Sequence, residues 1–181
     1  MVDRKLDFAV FYDEFLPQVY RYVRYRVADT ATAEDLTAAI FERALRAWNK
    51  RRKPNSAASW IFRIARNTVV SHYRWRGRRS HVPLDDAEGK PSTDATPEEW
   101  VLQTERWARI QEGIQALSRR EQDIIALKFG SELTNRAIAP IVGVSEGNVA
   151  VILHRAMRKL HAHLEREQAP VATPKRRISY G

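Results

Sequence analysis

The stretch that decides the fold is residues 134–160, TNRAIAPIVGVSEGNVAVILHRAMRKL. Its pattern predicts a short helix over 134–142, a tight turn around Gly143 and a longer helix over 145–165. Ser145 is a suitable cap for the second helix, because its hydroxyl can accept a hydrogen bond from a free amide of the first turn. Gly143 suits a left-handed helix end. Two helices joined by so short a turn predict a helix-turn-helix.

Pro140 lies inside the first helix of this pair. A proline cannot donate a backbone hydrogen bond to the carbonyl four residues earlier, here that of Arg136, and it costs up to about 3 kcal/mol in an ideal helix interior. We therefore expect a kink at Pro140 or an early end of the helix.

The second helix divides into two faces when its residues are placed at 100° intervals. We expect one face to pack inward, namely Val149, Leu153, Ala156 and Leu160. The opposite face is polar except for one valine, as expected of a helix that enters a DNA major groove. Its predicted contacts to DNA are Asn148, Val151, His154, Arg155 and Arg158. Periodicity alone leaves open a solvated amphipathic helix in an ordinary bundle.

Helical signals dominate the rest of the chain, and alternating strand patterns of useful length are missing. Further helices are predicted over 6–28, 33–49, 56–76, 97–116 and 118–129. Capping boxes, in which a side chain at each end satisfies a free amide of the first turn, are predicted at 96–99 and 118–121. Gly130 is predicted to be a left-handed helix end. The expected fold class is all-α.

The composition excludes several classes of protein. The 181 residues include no cysteine, so disulfide scaffolds, thiolate zinc sites and cysteine nucleophiles are excluded. An apolar run long enough for a membrane span does not occur, and the first ten residues lack the apolar stretch of a secretory signal. We therefore expect a cytoplasmic protein without membrane insertion. The net charge of +9 favours a polyanionic partner.

Charge is unevenly distributed and indicates two domains. Residues 1–80 carry 17 basic and 8 acidic side chains, whereas residues 81–99 carry 1 and 6. The acidic, proline-containing stretch between the halves is too poor in aliphatic residues to fold by itself. We predict a first helical domain over 1–80, an acidic flexible linker over 81–96, a second helical domain over 97–168 and a basic, disordered tail over 169–181.

The predicted helix over 56–76 combines basic and aromatic side chains. Arginines can neutralise phosphates while aromatic planes accept unstacked bases, so the pattern favours single-stranded DNA. For the aromatic residues taken singly, core packing is the better interpretation. A cationic loop before the helix adds positive potential. The predicted contacts are Lys50, Arg51, Arg52, Lys53, Asn55, Trp60, Arg63, Arg66, Asn67 and Arg74.

The second half of the chain resembles region four of the bacterial RNA polymerase sigma factors, in their small extracytoplasmic-function (ECF) group. The resemblance covers 114–164 and rests on Leu117-Ser118 with Glu121, Ile138-Ala139, Gly143, Ser145-Glu146-Gly147, Val149 and Leu153-His154-Arg155-Ala156. It implies that this half reads the minus-thirty-five promoter element and contacts the β flap of the polymerase. Family members commonly carry a polar triplet where this chain has Ala150-Val151-Ile152, so Val151 is expected to make an apolar contact, such as with a thymine methyl.

The first half resembles region two of the same family. The match rests on Ala33-Glu34-Asp35-Leu36, Ile40-Phe41, Ala58-Ser59-Trp60-Ile61 and the arginine-rich end of the 56–76 helix. It implies docking on the β′ clamp helices through Glu34, Asp35, Leu36 and Phe41, and melting of the minus-ten element by the aromatic and basic helix. The implied partners are core RNA polymerase, promoter DNA and an anti-sigma factor.

Three classes of function therefore compete: a promoter-specificity subunit, a free-standing helix-turn-helix regulator and an enzyme. The sequence lacks a glycine-rich phosphate loop, a paired metal-ligand motif and a nucleophile elbow, so we expect neither catalysis nor a cofactor. The function of a free-standing regulator does not account for the aromatic and basic helix. The interpretation as a sigma factor uses both halves.

Overall fold

The computed structural model describes residues 4–48, 56–78 and 97–168. Every regular element in these ranges is helical, as the sequence predicts. The α-helices are α1 (Arg4–Arg26), α2 (Thr30–Trp48), α3 (Ala57–Arg78), α4 (Pro97–Gln115), α5 (Arg119–Ile125), α6 (Asn135–Val142) and α7 (Glu146–Gln168). A π-helical turn, Ala126–Gly130, continues α5. We refer to α1–α3 as the amino-terminal module and to α4–α7 as the carboxyl-terminal module.

Side-chain caps set most of the helix starts. The predicted capping box of α5 is present: the Glu121 amide donates to the Ser118 hydroxyl, and the Glu121 carboxylate accepts from the Ser118 amide at 2.9 Å. The predicted cap at Ser56 also holds, with the Ser59 amide 3.2 Å from the hydroxyl. Helix α2 begins three residues earlier than predicted. The reason is Asp29, whose carboxylate accepts from the Thr32 amide at 2.6 Å.

Gly130 is not the left-handed residue that the sequence analysis expects. Glu132 takes that conformation instead, with a φ of 57°. The glycine is needed for close packing, because a Cβ at Gly130 would lie 3.1 Å from the Arg21 carbonyl oxygen and from the Tyr22 Cα. The π-helical turn therefore packs closely on the backbone of α1 at Gly130, where a side chain larger than a hydrogen atom would be crowded.

Helix α6 does not end early at Pro140, which was one of the two expected outcomes. The helix continues to Val142. Both Pro140 and Arg136 are exposed, so water can pair with the Arg136 carbonyl that receives no proline N–H. The cost of an interior proline is correspondingly reduced at this surface.

The two modules pack directly against each other. One continuous apolar core contains Phe11, Val19 and Phe62 from the amino-terminal module together with Ile124 and Leu127 from the carboxyl-terminal module. Fully burying one such side chain contributes about 1.5–3 kcal/mol. The main contacts between modules join α1 to the π-helical turn and α3 to α6. We call this packing of one module on the other the closed arrangement. It determines which of the predicted site residues are exposed.

Candidate nucleic-acid interface

Helices α6 and α7 form the predicted helix-turn-helix. They meet at 96°, and Gly143 at the turn has a left-handed φ of 73°. Its amide donates to the Ala139 carbonyl at 2.9 Å, which closes α6. Ser145 caps α7 by accepting from the Asn148 amide at 3.2 Å. The local sequence therefore fixes the angle at which α7 is presented.

The two faces of α7 divide as predicted. Val149, Ala156 and Leu160 are buried, and Leu153 is half-buried. The predicted contacts to duplex DNA are all exposed, namely Asn148, Val151, His154, Arg155 and Arg158. Val151 is 47% exposed. The polar face of α7 remains accessible in the closed arrangement.

Helix α3 presents a partly available polar face. Arg63, Asn67 and Arg74 are exposed and share one stripe, at spacings of four and seven residues. Arg63 additionally reaches the carboxyl-terminal module, where its guanidinium lies 3.5 Å from the Pro140 carbonyl oxygen. Part of the predicted single-strand surface thus borders α6.

The aromatic residues of α3 serve mainly as core. Phe62 is fully buried, so it cannot stack on a base in this conformation. Trp60 is half-buried in an aromatic cluster, with ring centroids 5.6 Å from Phe11 and 5.9 Å from Trp48. The Tyr73 hydroxyl donates to the Arg26 carbonyl. Only Trp75, 48% exposed, has a large accessible ring among the aromatic residues of α3. The interpretation as core packing is correct for Phe62.

Arg66 is not on a free surface, in contrast to the sequence prediction. Its Nε lies 2.9 Å from Oδ2 of Asp123 on α5. Asp123 is 2% exposed, and its other oxygen is 3.3 Å from the Nε of Arg26. The hydroxyl of Tyr22 donates to the same oxygen at 3.4 Å. We call Tyr22, Arg26, Arg66 and Asp123 the Asp123 cluster.

Arg26 is the most deeply buried charge in the described part of the chain. Its guanidinium donates to Gln122 Oε1 at 2.8 Å and lies 3.3 Å from the Arg119 carbonyl oxygen. Burial and the neighbouring Asp123 carboxylate raise the pKa of Tyr22. The phenol therefore stays protonated and donates its hydrogen bond to Asp123. Two guanidinium groups and one phenol thus compensate a single buried carboxylate.

The end of α1 is capped by side chains of α4. The Gln111 amide group donates to the carbonyl oxygens of Arg24 and Val27, and Gln115 donates to that of Arg26 at 3.2 Å. The last carbonyls of a helix lack partners within the helix. The carboxyl-terminal module therefore satisfies backbone groups of the amino-terminal module.

The residues assigned to polymerase docking fall into two groups. Glu34 and Asp35 are exposed on the first turns of α2. Leu36 and Phe41 are 8% and 4% exposed and belong to the core, so their assignment as surface contacts is wrong for this conformation. The helical periodicity of α2 explains the difference. Leu36 and Phe41 lie on the part of the helix that packs in the core, whereas Asp35 faces outward.

Several sequence predictions lie outside the described residues. They are the cationic loop with Lys50, Arg51, Arg52, Lys53 and Asn55, the acidic linker over 81–96 and the basic tail over 169–181. The Thr96 cap also falls there, although α4 begins at Pro97 as predicted.

Sequence reasoning missed Asp123, Arg26 and the two glutamines of α4. One signal for Asp123 was available: it directly precedes the apolar run Ile124–Leu127. In the structure, Glu121, Gln122 and Asp123 are buried together with Ile124 and Ile125. Nothing local indicates that its partner would be Arg26, almost 100 residues earlier.

In the described ranges, no group of three or more metal-ligating side chains comes together. No single helix in those ranges has the length and apolar character of a membrane span, and the bent pair α6–α7 meets the criterion by length and composition alone.

Comparison with known families covers both modules. Residues 11–79 match the family model for Sigma-70 region 2, and residues 107–160 match that for Sigma-70 region 4. These two matches occur in the same order along the chain, and about as far apart, as the two regions in which the sequence resembles the family.

Curated relatives are named as ECF sigma factors. The chain is 32% identical to the ECF RNA polymerase sigma factor BldN of Streptomyces coelicolor, over 84% of this chain and 58% of BldN. It is 30% identical to the ECF RNA polymerase sigma factor SigL of Mycobacterium tuberculosis, over 85% of this chain and 86% of SigL. The chain thus spans a little over half of BldN and most of SigL.

Solved structures share the fold. The sigma factor RpoE of Bartonella quintana, crystallised with the anti-sigma factor NepR, matches with a TM-score of 0.71 and 21% identity, over 88% of this chain and 97% of that chain. CnrH, in complex with the cytosolic domain of CnrY, matches with a TM-score of 0.67 and 19% identity, over 90% of each chain.

Proposed function

This chain belongs to the sigma-70 family of bacterial RNA polymerase subunits, in its ECF group, and we propose that it directs core RNA polymerase to promoters through α2, α3 and α7. Members of the family are promoter-specificity subunits. The protein then acts in the cytoplasm, where transcription takes place, and has no catalytic activity of its own. The observation that carries the proposal is the exposed polar face of α7, presented by a capped helix-turn-helix.

We assign α7 to the minus-thirty-five element. Asn148, Val151 and Arg155 follow one another at spacings of three and four residues on its exposed face, so they can follow one stretch of duplex. Asn148 can pair with an adenine edge or a phosphate, and Arg155 with a guanine or the backbone. Val151 can offer only an apolar contact. His154 and Arg158 extend the same surface.

We assign the exposed stripe of α3 to the single strand of the minus-ten element. Arg63, Asn67 and Arg74 supply cations and an amide along one line. A single strand is held by backbone charge together with stacking on aromatic planes, and Trp75 is the accessible ring on this helix. Trp60 lies close to the start of the stripe, with its ring partly in the core.

We assign the outer face of α2 to docking on the polymerase. Asp35, Ala38, Glu42 and Leu45 are exposed at spacings of three and four residues, so they form one continuous stripe. Leu45 is 54% exposed, which adds an apolar contact to two carboxylates. Such a mixed acidic and apolar stripe fits a basic helical partner, as the family's β′ clamp docking implies. Leu36 and Phe41 hold α2 in place from the inside.

The test is reconstitution with core RNA polymerase. Asp35→Arg should abolish assembly of the holoenzyme while leaving the helical content and thermal melt unchanged, because Asp35 is exposed and the substitution reverses one of the two charges of the proposed contact. Glu112→Arg is the matched control, since Glu112 is an exposed carboxylate on α4 outside this stripe. The function is supported if transcription starts at defined promoters only when this chain is added. The docking assignment is contradicted if Asp35→Arg binds core RNA polymerase as well as the wild type does.

An anti-sigma factor completes the proposed set of partners. The RpoE structure described above is a complex of a sigma factor with the anti-sigma factor NepR, and the CnrH structure is a complex with the cytosolic domain of CnrY. The same fold in this chain makes a partner of that type the natural one to seek, and purification of the chain with its bound cellular proteins would identify it.

A further inference from the structure

We propose that Asp123 is an intramolecular competitor of nucleic acid: it occupies the guanidinium groups of Arg26 and Arg66 while the modules are closed, and DNA phosphate takes its place when they separate. The proposal rests on the proposed function, since it concerns the α3 surface assigned there to the single strand. It adds Arg26 as a DNA contact and gives the closed arrangement a regulatory role.

The side-chain partners of Asp123 lie on the other module. Asp123 belongs to α5, and its three side-chain partners all belong to the amino-terminal module, at 2.9 Å for Arg66, 3.3 Å for Arg26 and 3.4 Å for Tyr22. The relation also holds in reverse for Arg26. The groups that accept from or pair with its guanidinium, on Arg119, Gln122 and Asp123, belong to the carboxyl-terminal module.

Loss of one partner of the Asp123 cluster disfavours the closed arrangement. A buried charge whose counter-charge is removed is strongly disfavoured, whereas the same charge in water needs no partner. When the modules separate, Asp123 and Arg26 are hydrated on their own modules. Removing one charge of the Asp123 cluster is therefore expected to shift the chain away from the closed arrangement, with little effect on the folding of either module.

A carboxylate and a phosphate bind a guanidinium through the same kind of charge-assisted hydrogen bond. The Nε–H that Arg66 donates to Asp123 is therefore taken while the modules are closed. Arg63, three residues before it, is turned to the Pro140 carbonyl at 3.5 Å. Separation of the modules would release three cations on one side of the amino-terminal module, namely Arg26, Arg63 and Arg66, beside the exposed Asn67.

Closure does not cover the two DNA-binding surfaces equally. The face of α7 with Asn148, Val151 and Arg155 stays exposed in the closed arrangement. The Asp123 cluster is thus expected to restrain binding of the single strand by α3 without restraining access to α7.

The first experiment measures closure in the full chain. Because the chain has no cysteine, Ala38→Cys on α2 and Ala162→Cys on α7, both at exposed positions, give two specific sites for a donor and an acceptor dye. Asp123→Asn should shift the population from high to low energy transfer while circular dichroism shows that the helices remain. Glu121→Gln is the matched control: it removes a carboxylate from the same helix, but the partners of Glu121 are Ser118 and Lys159 of its own module.

The second experiment measures binding to a fluorescein-labelled, 20-nucleotide single-stranded DNA of random sequence by anisotropy. An affinity that depends on a minor open state is reduced by the fraction of that state, so opening a chain that is one-tenth open should tighten binding about tenfold. Asp123→Asn should therefore bind more tightly than Glu121→Gln, which has the same net charge. Adding Arg66→Ala to Asp123→Asn should remove most of the gain.

The outcomes are distinguishable. Loss of energy transfer together with tighter binding supports the proposal. If Asp123→Asn stays closed, or if it opens but binds no better than Glu121→Gln, competition by Asp123 is wrong. If the wild type and both variants bind no single-stranded DNA at all, the assignment of α3 under the proposed function fails instead.

Discussion

Helices α3 and α7 carry the predicted DNA contacts of this protein, and they differ in how much of their polar face is available. On α7, all five predicted residues are exposed. On α3, Arg66 is ion-paired with the buried Asp123, and Arg63 reaches the Pro140 carbonyl. The sequences of the two helices give no sign of this difference, because both show an apolar face and a basic face.

The difference arises from the number of faces through which each helix packs. Helix α7 packs on α4, α5 and α6 of its own module through one broad face, whereas α3 packs on α1 and α2 with one face and on α6 of the other module with another. Side chains between those two faces of α3 are apolar and buried, such as Phe62, or polar and paired across the interface, such as Arg66. A polar face is therefore a binding surface only where no second neighbour covers it.

The largest effect is expected from Phe62 on α3. Phe62→Ala should lower the free energy of unfolding by about 3–5 kcal/mol, because it leaves a cavity in the core shared by both modules. Trp75→Ala should cost less than about 1 kcal/mol, because that ring is 48% exposed. Urea unfolding followed by circular dichroism gives both values. Equal losses would mean that the division of the α3 aromatic residues into core and surface is wrong.

A smaller effect is expected on the α7 side. Arg155→Ala should weaken binding of the holoenzyme to the upstream promoter element by about 1–3 kcal/mol if the guanidinium makes a bidentate contact to a base. Val151→Ala should cost about 0.8 kcal/mol or less, the contribution of one buried CH₂. Affinities of the holoenzyme for promoter fragments, measured at fixed salt, should show that Arg155→Ala weakens binding more than Val151→Ala. Binding to single-stranded DNA should not show this ranking.

Deoxyuridine scanning is the control for Val151. Replacing each thymine of the upstream element in turn removes only a methyl group, so one position should weaken binding in the wild type and have no effect in Val151→Ala. If every thymine can be replaced without loss in both proteins, Val151 does not read a methyl group, and its exposed side chain has another role.

Small effects, close to that of Val151→Ala, are expected from helix caps, where the two modules again differ. Asp29 caps α2 with a charged group, and Ser145 caps α7 with a neutral one; each should contribute about 1 kcal/mol by substitution with alanine. The hydrogen bonds to Thr32 hold the pKa of Asp29 below its usual value of 3.8. Its contribution is therefore complete above pH 3.8 and is lost as the pH falls through the lowered pKa.

The cost of Asp29→Ala should thus shrink in acid while that of Ser145→Ala stays constant. Thermal melts of both variants and the wild type, from pH 7 down to pH 3, provide the comparison. A cost of Asp29→Ala that does not change over this range would show that the carboxylate is not the capping group.

The sequence predicts the helices well because their signals are local. Hydroxyl caps at Ser56, Ser118 and Ser145 and the left-handed Gly143 act on backbone groups within four residues, and each is present in the structure. The error at Gly130 has a non-local cause. A Cβ at Gly130 would lie 3.1 Å from the backbone of α1, and a glycine needed for close packing looks the same in the sequence as one needed for a turn.

By itself the sequence determined that this protein is all-α, that it contains a helix-turn-helix with an exposed polar face on α7, and that it resembles sigma regions two and four. The tertiary structure alone decided that the two modules close on each other and that Arg26, Arg66 and Asp123 meet in the interface. The physical reason is range. Helix periods and caps depend on neighbours in the chain, whereas Asp123 lies 57 residues from Arg66 and 101 from Tyr22, so only the packed chain shows which charges compensate each other.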